Sequence, residues 1–201
     1  MKSLTKIAAA VALAGAFVAP AVADPFYCLT NNSGSCSTLA TNFSWTFDDT
    51  LDRLTISNNG VTVQPFIGNI YFDYGAGMDV TSVFAKSAGV NGTLTPGGNL
   101  PSGNNALPVF NADEYYDMAS PASTNGANGG EFITFQLSSV SAANFASGAF
   151  RVGLHVQGAG AGNQFSEAMV NVPAIPEPET YALMLAGLAA VGFMARRRRQ
   201  A

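Results

Sequence analysis

Through the middle of the chain, apolar and polar residues alternate with a period of two. Phe43, Trp45 and Phe47 fall on one face, with Asn42, Ser44 and Thr46 on the other. Leu54 and Ile56 repeat the pattern and run into Asn59-Gly60. That pair suits a type I′ hairpin turn, which needs positive φ at both central positions. Val61 and Val63 read as the returning strand, followed by Ile70, Phe72 and Tyr74. Later come Ile133, Phe135 and Leu137, then Phe150, Val152, Leu154 and Val156, and a weaker strand from Phe165 to Val172. Such alternation sets one face of a strand on a core and the other in water. Only Ser141 to Ala146 suggests a helix, of one or two turns. Eight or so short strands without a long helix predict an all-β fold, an antiparallel β-sandwich or jelly roll over residues 24–172.

Between residues 88 and 130 the alternation fails. Asn91-Gly92, Pro96-Gly97-Gly98-Asn99, Ser102-Gly103-Asn104-Asn105 and the run from Ser123 to Gly130 are turn-formers. Short apolar patches at Leu107 to Phe110 and Tyr115-Tyr116 predict one or two strands within long loops, which in a small domain are functional or mobile.

Composition narrows the partners. Of nine basic residues, only Arg53, Lys86 and Arg151 lie between Asp24 and Ile175, against eleven of the thirteen acids. A nucleic-acid binder needs a basic face to neutralise phosphates, so that class is excluded. The stretch is long enough for one domain with a real core.

The two ends carry addresses. Lys2 and Lys6 precede an apolar run from Ile7 to Val18, and Ala21-Val22-Ala23 offers small residues to a signal peptidase. Residues 1–23 therefore read as a secretory signal cut between Ala23 and Asp24. An uncleaved anchor is the alternative, disfavoured because the run is short for a bilayer. Cys28 and Cys36 are the only cysteines, and Asn31-Asn32-Ser33-Gly34-Ser35 between them turns easily. In an exported chain they are expected to form a disulfide, with free thiols the alternative.

At the other end, Pro173, Pro176 and Pro178 stiffen a spacer. Tyr181 to Ala195 follows without a charge, then Arg196, Arg197, Arg198 and Arg199. The uncharged stretch predicts a single transmembrane helix of about 22 Å at 1.5 Å per residue, extended by snorkelling arginines. A soluble core helix is the alternative, but it would show a polar face. The arginines should stay cytoplasmic, leaving Pro176-Glu177-Pro178 at the outer face of the inner membrane.

Pro176-Glu177-Pro178, a short apolar helix and a terminal arginine cluster, together spanning residues 173–201, resemble the PEP-CTERM sorting signal of Gram-negative bacteria. The stretch from Asn144 to Gln157 is also similar to one found ahead of such tails. The resemblance implies an exosortase-type sorting enzyme as partner and an inner-membrane intermediate facing the periplasm. It also implies a final place at the cell surface or in an extracellular polysaccharide matrix. It implies an address and a processing event rather than an activity.

Nothing assigns a catalytic residue, metal or cofactor. His155 is the only histidine and shares its strand face with Arg151 and Gln157, so it is expected at the surface. No Gly-x-Ser-x-Gly elbow accompanies it. Asp48, Asp49 and Asp52, then Asp113, Glu114 and Asp117, and the pair Asp73 and Asp79 around Gly75-Ala76-Gly77, read first as turn residues. Calcium held by oxygen ligands and hydrolysis by paired carboxylates are the alternatives, though no EF-hand spacing is present. Trp45 is expected in the core, while Tyr71 alternates outward beside Asp73 as a candidate for stacking on sugars.

The reading is an exported, non-enzymatic surface or matrix protein. A carbohydrate-binding module is the rival and a hydrolase the more distant one. N-terminal sequencing of the exported protein should give Asp24 first; recovery of Met1 or Lys2 would disprove cleavage.

Overall fold

Alternation becomes structure at once in β2 (Phe43–Asp48), where Phe43, Trp45 and Phe47 are buried and Thr46 and Asp48 exposed. The computed structural model describes residues 25–171. The signal segment with the Ala23–Asp24 junction, and the tail with Pro176, Glu177, Pro178, the helix 181–195 and Arg196 to Arg199, lie outside the described residues. Among the described residues, no helix is long and apolar enough to cross a membrane.

The other strands are β1 (Phe26–Cys28), β3 (Arg53–Asn58), β4 (Phe66–Tyr74), β5 (Asp79–Lys86) and β6 (Gly92–Pro96). They continue with β7 (Glu114–Met118), β8 (Phe132–Ser138), β9 (Phe150–Ala159) and β10 (Phe165–Asn171). Short helices α1 (Cys36–Ala40), α2 (Ala122–Asn125) and α3 (Ala142–Ser147) join them. Every strand pairing is antiparallel, in a six-stranded sheet ordered β1-β10-β9-β4-β7-β6 and a four-stranded sheet ordered β2-β3-β8-β5. The two face each other across aromatic contacts: Phe72 of β4 meets Phe135 of β8 edge-on at 4.9 Å, and Tyr116 of β7 meets Phe135 at 5.6 Å. Phe145 of α3 stacks on Trp45 at 4.8 Å and touches Phe150 at 5.0 Å, tying both sheets together. Six strands on four make an antiparallel sandwich rather than an eight-stranded jelly roll.

Asn59-Gly60 forms no hairpin. β3 and β4 lie in different sheets, and Val61 and Val63 are exposed in the loop between them. Asn58 settles this: its Nδ2 donates to Pro65 O and Ala127 O, and its Oδ1 accepts from Gly60 N–H. That buried amide ends β3 and turns the chain away. The hairpin forms instead between β2 and β3, where Asp48 Oδ1 accepts from the N–H groups of Thr50 and Leu51. Asp49 accepts from Ala142 N–H at the start of α3, so these two acids are turn and cap residues.

The segment 97–113 is neither free loop nor strand. It lies over the outer face of the six-stranded sheet and builds a second apolar cluster there: Leu100, Ala106 and Phe110 pack with Tyr71, Ala168 and Val170. Leu107, expected in a strand, is exposed. Gly153 makes the close approach possible, since a Cβ there would lie 2.7 Å from Leu100 Cδ2 and 3.1 Å from Phe110 Cζ. Arg151, expected in water, is 6% exposed beneath this cover. It forms an ion pair with Asp73 and donates to Pro108 O at 2.5 Å and Val109 O at 2.6 Å. Asp73 in turn accepts from Asn111 N–H at 3.0 Å.

At the N-terminal side, Cys28 and Cys36 are bonded, with Cα atoms 6.1 Å apart. The loop they close wraps Glu167, which is buried in β10. Its carboxylate accepts from Thr30 Oγ1 at 2.6 Å, Ser33 N–H at 2.6 Å and Asn32 N–H at 3.1 Å. Burial pulls its pKa up, but these hydrogen bonds outweigh burial and hold it below the ordinary 4.5.

Two expectations follow. Gly153→Leu should lift the cover without unfolding the sandwich, costing about 1–3 kcal/mol and speeding proteolysis within 97–113. Leu154→Asp, one residue on but facing the main core, should instead unfold the whole domain. Equal proteolytic patterns would contradict the two-cluster picture. Glu167→Gln should cost about 2 kcal/mol at pH 7. Because the folded-state pKa is depressed, that stabilisation is present above pH 4.5 and fades as pH falls through the lower folded value. Denaturant melts from pH 7 to pH 3 should show wild type and variant converge.

Candidate functional site

The cover leaves part of the outer sheet face open. There the register sets four polar residues in one row across neighbouring strands: Thr93 beside Asp117, Asp117 beside Asn69, and Asn69 beside His155. Each belongs to an outward-facing position of β6, β7, β4 or β9. The row is linked by side chains. Asn69 Nδ2 donates to Asp117 Oδ1 at 2.8 Å, and its Oδ1 lies 3.4 Å from His155 Nδ1. Gln157 Nε2 lies 3.5 Å from the same ring nitrogen. One Nδ1 cannot serve both neighbours: protonated, it donates to Asn69; bare, it accepts from Gln157. Gln157 is held in place because β4 carries Gly68 beneath it, where a Cβ would meet its Nε2 at 2.7 Å.

His155 is half-buried rather than at the open surface, and burial lowers its pKa so that the ring is neutral near pH 7. Above the row, Tyr71 and Tyr115 stack with ring centroids 5.6 Å apart. Tyr71 is 7% exposed, so its ring is not a platform for stacking a sugar. Burial, with Tyr115 and Asp117 nearby, pushes its hydroxyl up to about 12, keeping it a donor at every physiological pH. Gly98 of the cover sits against Tyr115, where a Cβ would come within 2.8 Å of the ring. The row thus offers donors and acceptors on a flat face with a single formal charge, Asp117. Its chemistry is hydrogen bonding.

The carboxylates expected to group do so only in part. Tyr74 Oη lies 3.4 Å from both Asp79 Oδ1 and Glu114 Oε2, and Asp113 accepts from Tyr74 N–H at 2.8 Å. Burial and then Asp79 raise the Glu114 pKa, with the Tyr74 hydrogen bond opposing them. Burial and the same acids push the Tyr74 hydroxyl well above its usual range. Asp117 belongs to the row, and Asp73 to Arg151. Among the described residues, no three His, Cys, Asp or Glu side chains come together in a way that could hold a metal. Trp45 is in the core, as alternation predicts.

Alternation missed the row because neither Asn69 nor Asp117 looks unusual alone. Only the pairing of β4 with both β7 and β9 sets them beside the histidine. Residues 174–199 match the family model of the PEP-CTERM protein-sorting motif. No curated protein and no solved structure matches the chain. The match falls on the Pro-Glu-Pro element, the apolar stretch and the arginines that sequence patterning marks as a sorting tail, and on none of the folded domain. The chain thus carries a PEP-CTERM protein-sorting motif at residues 174–199.

Proposed function

We propose that this is an exported, non-enzymatic component of the cell surface or of an extracellular polysaccharide matrix, delivered by an exosortase-type enzyme. The match at residues 174–199 carries the reading. In it, the chain pauses in the inner membrane with its sandwich on the periplasmic side and Arg196 to Arg199 in the cytoplasm. The enzyme meets Pro176-Glu177-Pro178 at the membrane face, where prolines keep the backbone extended. Support for a non-enzymatic domain comes from what its acids do. Asp48, Asp49, Asp113, Glu131 and Glu167 each accept a backbone N–H, and Asp73 binds Arg151. Those carboxylates are committed to the fold. A hydrolase would need a pair left free to exchange protons with substrate, and the two further acids that come together, Asp79 and Glu114, share the Tyr74 hydroxyl.

The second reading, a carbohydrate-binding module, is favoured by one observation, the row of Thr93, Asp117, Asn69 and His155. Sugars present paired donors and acceptors, and a row of amide, carboxylate and neutral imidazole can match them. Glycan-array binding by the exported protein, lost in Asn69→Ala, tests this reading.

The sorting reading has a sharper test. Glu177→Ala keeps the apolar stretch and the arginines, so the protein should insert but accumulate uncleaved. Replacing Arg196 to Arg199 with Ala removes the stop and the orientation bias, each charge costing on the order of 3 kcal/mol at the bilayer centre. That variant should slip through or insert the wrong way round. Immunoblots of membrane and secreted fractions decide. Release of the Glu177 variant in wild-type form would reduce the motif to a spacer.

A further inference from the structure

A β-sandwich has four open edges, and three of them here are blunted. β1 has only three residues before it enters the disulfide-closed loop. β6 begins at Gly92 and ends at Pro96, which has no N–H to offer. β5 is interrupted by register shifts at Val80/Ser82 and Val83/Ala85 and ends in Lys86. Bulges, prolines and charges are the devices that keep edges from pairing with other chains. β2 has no bulge and no proline, and its one charge is Asp48 at its last position. Its six residues pair with β3 in unbroken register, and its sequence Phe-Ser-Trp-Thr-Phe-Asp is free of glycine, proline and lysine. Among the described residues, β3 is the one strand paired with it, and α3 touches only its core-facing side chains through Phe145.

The direction of its backbone groups can be read directly. Asn59 N–H donates to Asn42 O at 2.6 Å, so Asn42 and the positions two and four residues on exchange bonds with β3. Phe43, Trp45 and Phe47 therefore turn their N–H and C=O groups away from the sheet, toward the open edge.

We propose that this edge pairs with the same edge of a second copy, antiparallel and centred on Trp45. The two four-stranded sheets then become one continuous sheet. β2 is its own complement in that register. Trp45 faces the second copy's Trp45, and Phe43 faces Phe47, each pair exchanging two N–H···O bonds. On the outer face, Ser44 lies opposite Thr46, and Asp48 lies opposite Asn42, so no like charges meet. This arrangement is isologous and closes at two copies. It concerns the folded domain alone and holds whether or not the tail is processed. A protein built this way would present its sandwiches in pairs without a second component.

The register supplies the test. Ser44 and Thr46 point outward from the sandwich, so charges there leave the core untouched. In Ser44→Lys/Thr46→Lys, lysine opposes lysine twice, and sedimentation of the purified exported protein should show dimerisation about tenfold weaker than wild type. In Ser44→Glu/Thr46→Lys, glutamate opposes lysine twice and the dimer should return. Both variants lose the same Asn59 Nδ2 bond to Ser44 Oγ, so that loss cannot separate them. A measurement without mutation stands beside these: amide exchange at Phe43, Trp45 and Phe47 should slow as wild-type concentration rises. A wild type that stays monomeric, a double-lysine variant that dimerises normally, a charge-paired variant that does not recover, or concentration-independent exchange at those amides would each overturn the proposal.

Discussion

The ion pair between Arg151 and Asp73 holds the outer layer of this protein together. A guanidinium in that position has lost nearly all its water, and it is tolerated because a carboxylate and two backbone carbonyls replace that water. Those carbonyls belong to Pro108 and Val109, so the charge that needs satisfying also fastens the segment that buries it. Asp73 completes the fastening through Asn111. Removing Asp73 would leave the guanidinium charged and nearly dry. A run of glycine, asparagine and serine with little apolar content of its own thereby becomes a fixed layer, with Leu100 and Phe110 as its anchors.

That layer divides the outer face of the large sheet into two environments. Beneath it, Tyr71 and Val170 behave as core residues. Beyond it, Asn69, His155 and Asp117 remain available as a hydrogen-bonding surface, with the His155 ring kept neutral by partial burial. The small sheet differs in kind. Its outer face carries Thr46, Thr55 and Thr134 side by side, the last two sharing a hydroxyl bond at 2.9 Å. The domain is thus two-faced: a layered side with a polar row, and a plain hydroxyl-bearing side that ends in the β2 edge, which among the described residues pairs with β3 alone.

Strands with one wet face were legible in the sequence. Phe43, Trp45 and Phe47, Leu54 and Ile56, and Ile133, Phe135 and Leu137 are all buried as alternation demands. The helix at Ala142–Ser147 and the cysteine pair were legible for local reasons, a polar cap and a short flexible loop. Errors gathered where a strand has both faces covered. Alternation places Arg151 and Tyr71 toward solvent because it says what lies opposite the core, not whether a distant loop folds over it. β5 and β6 leave little trace in the sequence because edge strands bury little and so carry little apolar signal. Asn59-Gly60 misled because the dipeptide describes what a turn permits, while Asn58 decides where the chain goes. The polar row needed the order of strands in the sheet, which no local pattern encodes.

Phe26 of β1 sits opposite Asn171 of β10, so the folded domain begins and ends at one pole, side by side. Four residues separate Asn171 from Pro176, five steps that reach at most about 18 Å of extended chain. Tension applied to the tail therefore enters the sandwich through the end of β10, a strand flanked on both sides by antiparallel neighbours. Its ladder bonds run across the line of pull, and a load in that direction meets β1 and β9 in shear. Such bonds must yield together rather than one after another. A load that enters through the last strand in this way is shared between two ladders at once, so the domain resists pulling from that end better than a strand at a sheet edge would.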